Sequence, residues 1–303
     1  MKLTVNLAGT KIAISFIGRA EKAIHICSQY FRGFLCPNLT SHAEITVSVL
    51  ERHKHGFPVR ATTGKPVFEQ LLSTPEVAAW LRELSEYRED FPISQSTISS
   101  FCLDGLLLFD PDTASGRIYL LNPGLECFKP LYRLFWMYFA QVFGEVGGCF
   151  IHGVGLTKDQ KGYLFMGESG AGKSTLAGLC REHTVFSDDS PIFCKQDGGY
   201  HIFPSPYHQL DPLKGLDRDI AAMSAEVRGL YFLVKDDRVY SEKVLKKEAI
   251  SIIINRHIHF FLYLSTQARS GIFSIICEAC NNLPTYNLHF CKGQNMWSAI
   301  TGK

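Results

Sequence analysis

GESGAGKST, running from Gly167 to Thr175, is the stretch from which the rest of the chain can be read. Gly167, Gly172, Lys173 and Ser174 fit the phosphate-loop pattern G-x-x-x-x-G-K-[ST]. Its glycines let the backbone turn so that successive N–H groups face one centre, and the helix expected after Lys173 adds its own. Glu168, Ser169, Gly170, Ala171 and Thr175 complete the expected lining. Lys173 is placed to neutralise the β- and γ-phosphates of ATP, and the Ser174 hydroxyl to ligate Mg²⁺. The bland alternative is a strand-to-helix turn that binds nothing. The flanks argue against it: YLFMG is an apolar strand leading in, and KSTLAGLCREH an amphipathic helix leading out.

After that helix comes TVFSDD, a buried strand expected to end on Asp188 and Asp189. Adjacent strand residues point to opposite sides, so two neighbouring carboxylates can do different work. One can approach Mg²⁺ while the other takes a proton from an acceptor. Two aspartates alone would be a solvated, capping turn; beside a phosphate loop the functional reading is favoured. His152 lies in CFIHGVGL, read as one apolar strand opening the first hairpin of this region, with TKDQKG as the turn. By itself it is a packed core histidine.

The chain divides near residue 146. Residues 1–146 are read as a smaller α+β domain for binding a substrate or partner, or for oligomer packing. Residues 2–17 form two strands around AGTK, AEITVSVLE a third, and STPEVAAWLRELSEY a helix opened by Thr74 and Pro75. A hairpin follows with its turn in DPDTASG, then a helix over CFKPLYRLFWMYFAQVFGE. Residues 147–303 are read as an α/β domain with a mixed sheet. Here GLYFLVKDDRVYSEKV reads as a hairpin, KKEAISIIINRH and STQARSGIFSIICEACNNL as helices, and TYNLHF as a late strand.

Composition narrows the function classes. The 303 residues carry 31 basic and 29 acidic side chains, a net charge of +2, which points to neither a nucleic acid nor a membrane surface. No apolar run approaches the roughly 18 residues of a membrane span. The N-terminus lacks a signal-peptide pattern, so a cytoplasmic protein is expected. The 10 cysteines are scattered. Cys277 and Cys280, with His289 and Cys291 near them in sequence, have the residue types of a zinc site, but their segment reads as an amphipathic helix in which thiols pack as small core residues.

Residues Cys149 to Phe193 resemble the kinase domain of the HPr kinase/phosphorylase superfamily, which is allied in fold to the ATP-dependent phosphoenolpyruvate carboxykinases. Three motifs carry the likeness in order: His152-Gly153, the loop Gly167 to Ser174 in its G-x-S-G-x-G-K-S form, and Asp188-Asp189. The resemblance implies an ATP- and Mg²⁺-dependent kinase acting on a hydroxyl, typically a serine. It implies Asp188 as general base, Asp189 with Ser174 on the metal, and His152 near the transferred group. AEVRGL (Ala225 to Leu230) echoes a Glu-x-Arg-Gly segment of that family and implies Glu226 as a further metal ligand. The family's HPr-docking signature and its late arginine-rich segment are missing, so HPr is not the expected substrate. The architecture is more similar to divergent HPr-kinase-related proteins that accompany peptide-modifying radical-SAM enzymes, the SynChlorMet-cassette family among them. A ribosomally made peptide and a radical-SAM partner are thereby implied. Two other readings stand beside the kinase: an ATP-binding regulatory module without phosphotransfer, and a carboxykinase-like small-molecule enzyme.

Overall fold

The computed structural model describes residues 1–37, 40–50, 97–102, 105–120, 128–180, 183–207, 218–291 and 294–301. The expected helix over STPEVAAWLRELSEY lies outside them. The chain is mixed α/β, with two mixed sheets. It divides into two compact units: Met1–Phe31 with Leu35–Val142, and Arg32–Phe34 with Phe143–Lys303.

In the first unit a six-stranded sheet has the order β1-β2-β3-β6-β5-β4. Its strands are β1 (Lys2–Leu7), β2 (Thr10–Gly18), β3 (Ala43–Val49), β4 (Ile98–Cys102), β5 (Gly105–Asp110) and β6 (Ser115–Leu120). β2 and β3 run parallel, which requires a crossover, and α1 (Glu21–Tyr30) is its helix. The sequence shows α1 in the spacing of Ala23, Ile26, Cys27 and Tyr30, which form its buried stripe. That helix was not among the elements expected above. Behind it, α2 (Phe128–Glu145) presents Phe135 and Phe139, whose rings stack at 5.7 Å and meet Phe31 edge-on at 5.4 and 5.8 Å.

The second unit is built on a nine-stranded sheet, and its main path is β10-β8-β9-β13-β12-β11-β7. These are β7 (Gly148–Phe150), β8 (Gly153–Lys158), β9 (Lys161–Met166), β10 (Val185–Ser187), β11 (Ile192–Gln196), β12 (Gly199–Phe203) and β13 (Ala225–Lys235); β14 (Tyr240–Lys243) and β15 (Thr285–Phe290) complete it. CFIHGVGL is therefore two strands rather than one. β7 pairs with β11 and β8 with β9, so strands separated in sequence by Ile151 and His152 belong to opposite ends of the strand order. The second partner of this break is equally bent. β10 stops at Ser187 and β11 starts at Ile192, and the two broken strands run antiparallel in one register from Gly148 to Gly155, shifting only beyond the bend, between Ser187 and Val185. Gly148 faces Cys194, Phe150 faces Ile192, and Gly155 faces Ser187. Between them, Ile151 N–H donates to the Pro191 carbonyl at 3.2 Å and Gly153 N–H to the Asp189 carbonyl at 2.8 Å. The result is a single two-stranded ribbon with a kink at His152 and Asp188–Ser190.

β9, β13 and β15 are parallel neighbours. The expected hairpin of β13 with β14 does not form: β15 lies between them, parallel to β13 and antiparallel to β14. The glycine-rich segment leaves β9 directly and enters α3 (Lys173–Leu179). Farther on, α4 (Lys246–Ile252) runs into a π-helical turn, Ile253–His257, in which Ile258 N–H reaches back to the Ile253 carbonyl. Then comes α5 (Thr266–Asn282), started by Ser265, whose hydroxyl accepts from Ala268 N–H at 3.0 Å. Cys280 is buried on α5.

Candidate active site

Strand β9 is buried along nearly its whole length and ends at Met166, so the turn after it starts from a fixed point. Gly170 and Gly172 both have positive φ, +81° and +103°, a region that side chains other than glycine enter at a cost. At Gly172 a Cβ would also lie 2.6 Å from Phe290 Cζ. Ala171 N–H closes a tight turn onto the Glu168 carbonyl at 3.0 Å. Gly172 opens α3 with no side-chain capping bond, so first-turn N–H groups of α3 remain for a ligand. Glu168, Ser169, Gly170, Ser174 and Thr175 are exposed, while Gly167 and Lys173 are buried.

Lys173 holds the loop from inside. Its Nζ donates to the Gly167 carbonyl at 2.6 Å and the Glu168 carbonyl at 3.2 Å. Burial lowers the pKa of this ammonium, and the charge of nearby Asp189 works in the opposite direction. A desolvated cation held by two loop carbonyls beside a carboxylate fits an incoming polyphosphate. The residues present therefore suit the phosphate group that the motif implies.

Asp188 and Asp189 are both buried but lie past the end of β10, in the bend, so strand alternation does not separate them. Ser187 sets that bend. Its hydroxyl donates to the Tyr207 carbonyl at 2.7 Å and accepts from the N–H groups of Asp189 and Ser190 at 3.2 and 2.9 Å. His152, at the kink of the opposing strand, places Nδ1 3.3 Å from Asp189 Oδ1. Lys173, Asp189 and His152 thus lie together.

Other residues there were not singled out from sequence. His152 N–H donates to the His257 carbonyl at 2.7 Å, and His257 Nδ1 lies 3.1 Å from the His152 carbonyl. The His259 ring meets the His152 ring edge-on at 4.6 Å. Burial lowers His257 to about 4, and the electrostatic influence of His152, Lys173 and Arg256 adds to the effect, against the hydrogen bond to His152. His257 is therefore neutral near pH 7 and its Nδ1–H donates. The neighbouring Arg256 pairs with Glu168 of the loop at 2.6 Å. The signal was the run RHIH (Arg256 to His259), which the helical reading of that segment obscured.

Glu226 does not join this group. It precedes Val227, which pairs with Gly162 at the start of β9. Gly167 is five residues farther along, roughly 16 Å by the rise of a strand. The Glu226 carboxylate pairs instead with Arg228 at 2.6 Å. The metal-ligand role implied by the AEVRGL echo is corrected accordingly.

Residues 133–302, more than half of the chain, match the family model of SynChlorMet cassette protein ScmC. The chain belongs to this family. No curated protein matches it. Among solved structures, the ScmC-family chain is similar to the Hpr(Ser) kinase/phosphatase from Coxiella burnetii at 19% identity, over 50% of this chain and 85% of that one, with a TM-score of 0.29. Among the described residues, no helix is long and apolar enough to cross a membrane.

Proposed function

We propose that the chain is an ATP- and Mg²⁺-dependent kinase that phosphorylates a hydroxyl, a serine foremost, on a protein or peptide. One observation carries this reading: the Lys173 ammonium is buried against the loop's own carbonyls beside the Asp189–His152 pair. A cation kept in so poor a solvent is completed by an anionic ligand.

ATP·Mg²⁺ supplies a transferable γ-phosphoryl group and a cation that shares its charge. Lys173 neutralises charge on the phosphate oxygens. The Asp188 carboxylate takes the proton of the acceptor hydroxyl as its oxygen becomes the nucleophile. Asp189 and Ser174 hold the cation, and His152 keeps the Asp189 carboxylate in place. These are contributions of position and charge, which dominate phosphoryl transfer. The HPr kinase/phosphorylase superfamily is the parent group this reading draws on. The acceptor in this reading is a ribosomally made peptide, as the resemblance of the sequence motifs to companions of radical-SAM enzymes implies.

The test is incubation of γ-labelled ATP with candidate peptides and the wild type, Lys173→Ala and Asp188→Asn. Wild type labels its acceptor and both variants fail, with Asp188→Asn still binding nucleotide. Full transfer by Asp188→Asn overturns the base assignment. Thermal stabilisation by ATP with no labelled acceptor replaces the kinase with a nucleotide-dependent regulatory module.

A further inference from the structure

Past the π-helical turn the chain leaves the site in a strained conformation. Ile258 bridges to Ile151 beside the kink, His259 sets its ring against His152 at 4.6 Å, and Phe260 follows with φ at +64°. A bulky aromatic residue at positive φ is held there at a cost of about 1–3 kcal/mol, and such outliers gather at sites that act. This one starts a 3₁₀ turn, Phe261–Tyr263, closed by the Tyr263 N–H on the Phe260 carbonyl at 2.7 Å. The turn faces apolar side chains outwards: Leu262 is 76% exposed and Tyr263 49%.

This ridge stands next to the transfer site. Leu262 is three residues past His259, so their Cα atoms lie no more than about 10 Å apart. His259 touches His152, and His152 faces Asp189. The ridge is also neutral. Between His257 and Arg269 no acidic or basic residue other than His259 occurs. The cations at its two ends are engaged, Arg256 with Glu168 and Arg269 with the Thr266 hydroxyl at 3.3 Å. Such a surface selects neither a nucleic acid nor an anionic membrane. It selects an apolar side chain, by the area that the two remove from water. An extended peptide covers 10 Å in about three residues, so that side chain and the reacting hydroxyl fit on one short segment.

We propose that Leu262 and Tyr263 form an acceptor-selecting ridge, which takes an apolar side chain of the peptide substrate within about four residues of the hydroxyl that receives the phosphoryl group. The inference rests on the kinase reading given above, and the experiment separates the two. The full chain, wild type and Leu262→Glu, is incubated with γ-labelled ATP, Mg²⁺ and a serine-centred synthetic peptide library. Each flanking position of the library is fixed in turn as Leu, Phe, Lys, Asp or Ser. Thermal melts confirm that the variant is folded, and calorimetry measures its ATP affinity. Wild type is expected to favour Leu or Phe over Asp and Ser by about tenfold at a position near the serine. Leu262→Glu should lose that preference, turn to Lys at the same position and bind ATP as the wild type does. Labelling by wild type with no apolar preference, or an apolar preference that Leu262→Glu keeps, overturns the ridge and leaves the kinase standing. So does sedimentation in which Leu262→Glu splits a self-associated wild type, because the ridge is then a contact between copies. If no peptide is labelled, the peptide-kinase reading falls and the ridge falls with it.

Discussion

His152 Nδ1 stands 3.3 Å from Asp189 Oδ1 across the kink of one antiparallel ribbon, with the Lys173 ammonium close enough to feel the carboxylate's charge. Replacing Asp189 by Asn keeps the shape and removes the charge. Under the kinase reading, phosphotransfer falls by about two to three orders of magnitude, read in single-turnover assays, while the melting temperature changes little. Transfer at the wild-type rate would remove Asp189 from the site chemistry.

Lys173→Met exchanges a buried cation for an apolar chain of similar length. The cation is desolvated and held by carbonyls, so its removal should raise stability by about 1 kcal/mol. The stabilisation that ATP confers on the wild type should vanish. Denaturant melts with and without ATP·Mg²⁺ check both halves. A loss of stability would mean that Lys173 serves the fold.

His257 gives a pH dependence. Its ordinary value is 6.5 and burial brings it to about 4 in the folded protein. The unfolded chain therefore binds the proton more readily between these values. Stability from keeping this ring neutral is full above pH 6.5 and is lost as pH falls towards 4, by about 3 kcal/mol in total. His257→Asn retains a side-chain N–H donor and cannot titrate. The stability difference between wild type and this variant should be flat above pH 6.5 and change steeply below it. A flat difference down to pH 4 would show that the ring is already protonated in the folded state, or solvated.

Two glycines in helices of the second unit should respond oppositely to alanine. A Cβ at Gly271 of α5 would run into the Gly144 carbonyl oxygen near the end of α2, and backbone cannot move aside cheaply. Gly271→Ala should cost about 2–4 kcal/mol. Gly178 of α3 has open space around it, so Gly178→Ala should stabilise by about 0.5–1 kcal/mol. Chemical denaturation of the two variants decides it, and equal effects would refute the close approach of Gly271 to the Gly144 carbonyl.

The glycine-rich loop, its strand and its helix were legible because glycine spacing, an apolar run and an amphipathic repeat are local signals. What failed was pairing. CFIHGVGL is evenly apolar, so nothing within it says that Phe150 and Gly153 bond to different neighbours; that is decided by His257, 105 residues on, which takes the His152 N–H. KDDR (Lys235 to Arg238) suggests a reversal between β13 and β14, but β15 arrives later and takes the place between them. Glu226 was named on a motif echo, while its distance from the loop is a matter of strand register. Helix α1 is marked in the sequence by the spacing of Ala23, Ile26, Cys27 and Tyr30. The hairpin turn at Asp159-Gln160, both at positive φ, was correctly placed between β8 and β9 because polar residues interrupt two apolar runs.

The kinked ribbon makes the site a matter of counting as much as of chemistry. Because Gly148/Cys194 and Gly155/Ser187 share one register, the number of residues on each side of the bend is as constrained as their identity. Dropping one residue between Phe150 and Gly155 would turn His152's neighbours to the wrong face and carry Asp189 out of reach without altering either side chain. Length variation among sequences of this kind belongs at tips such as Asp159-Gln160, and a gap at the bend would mark a chain that has lost the pair even where both residues survive in an alignment.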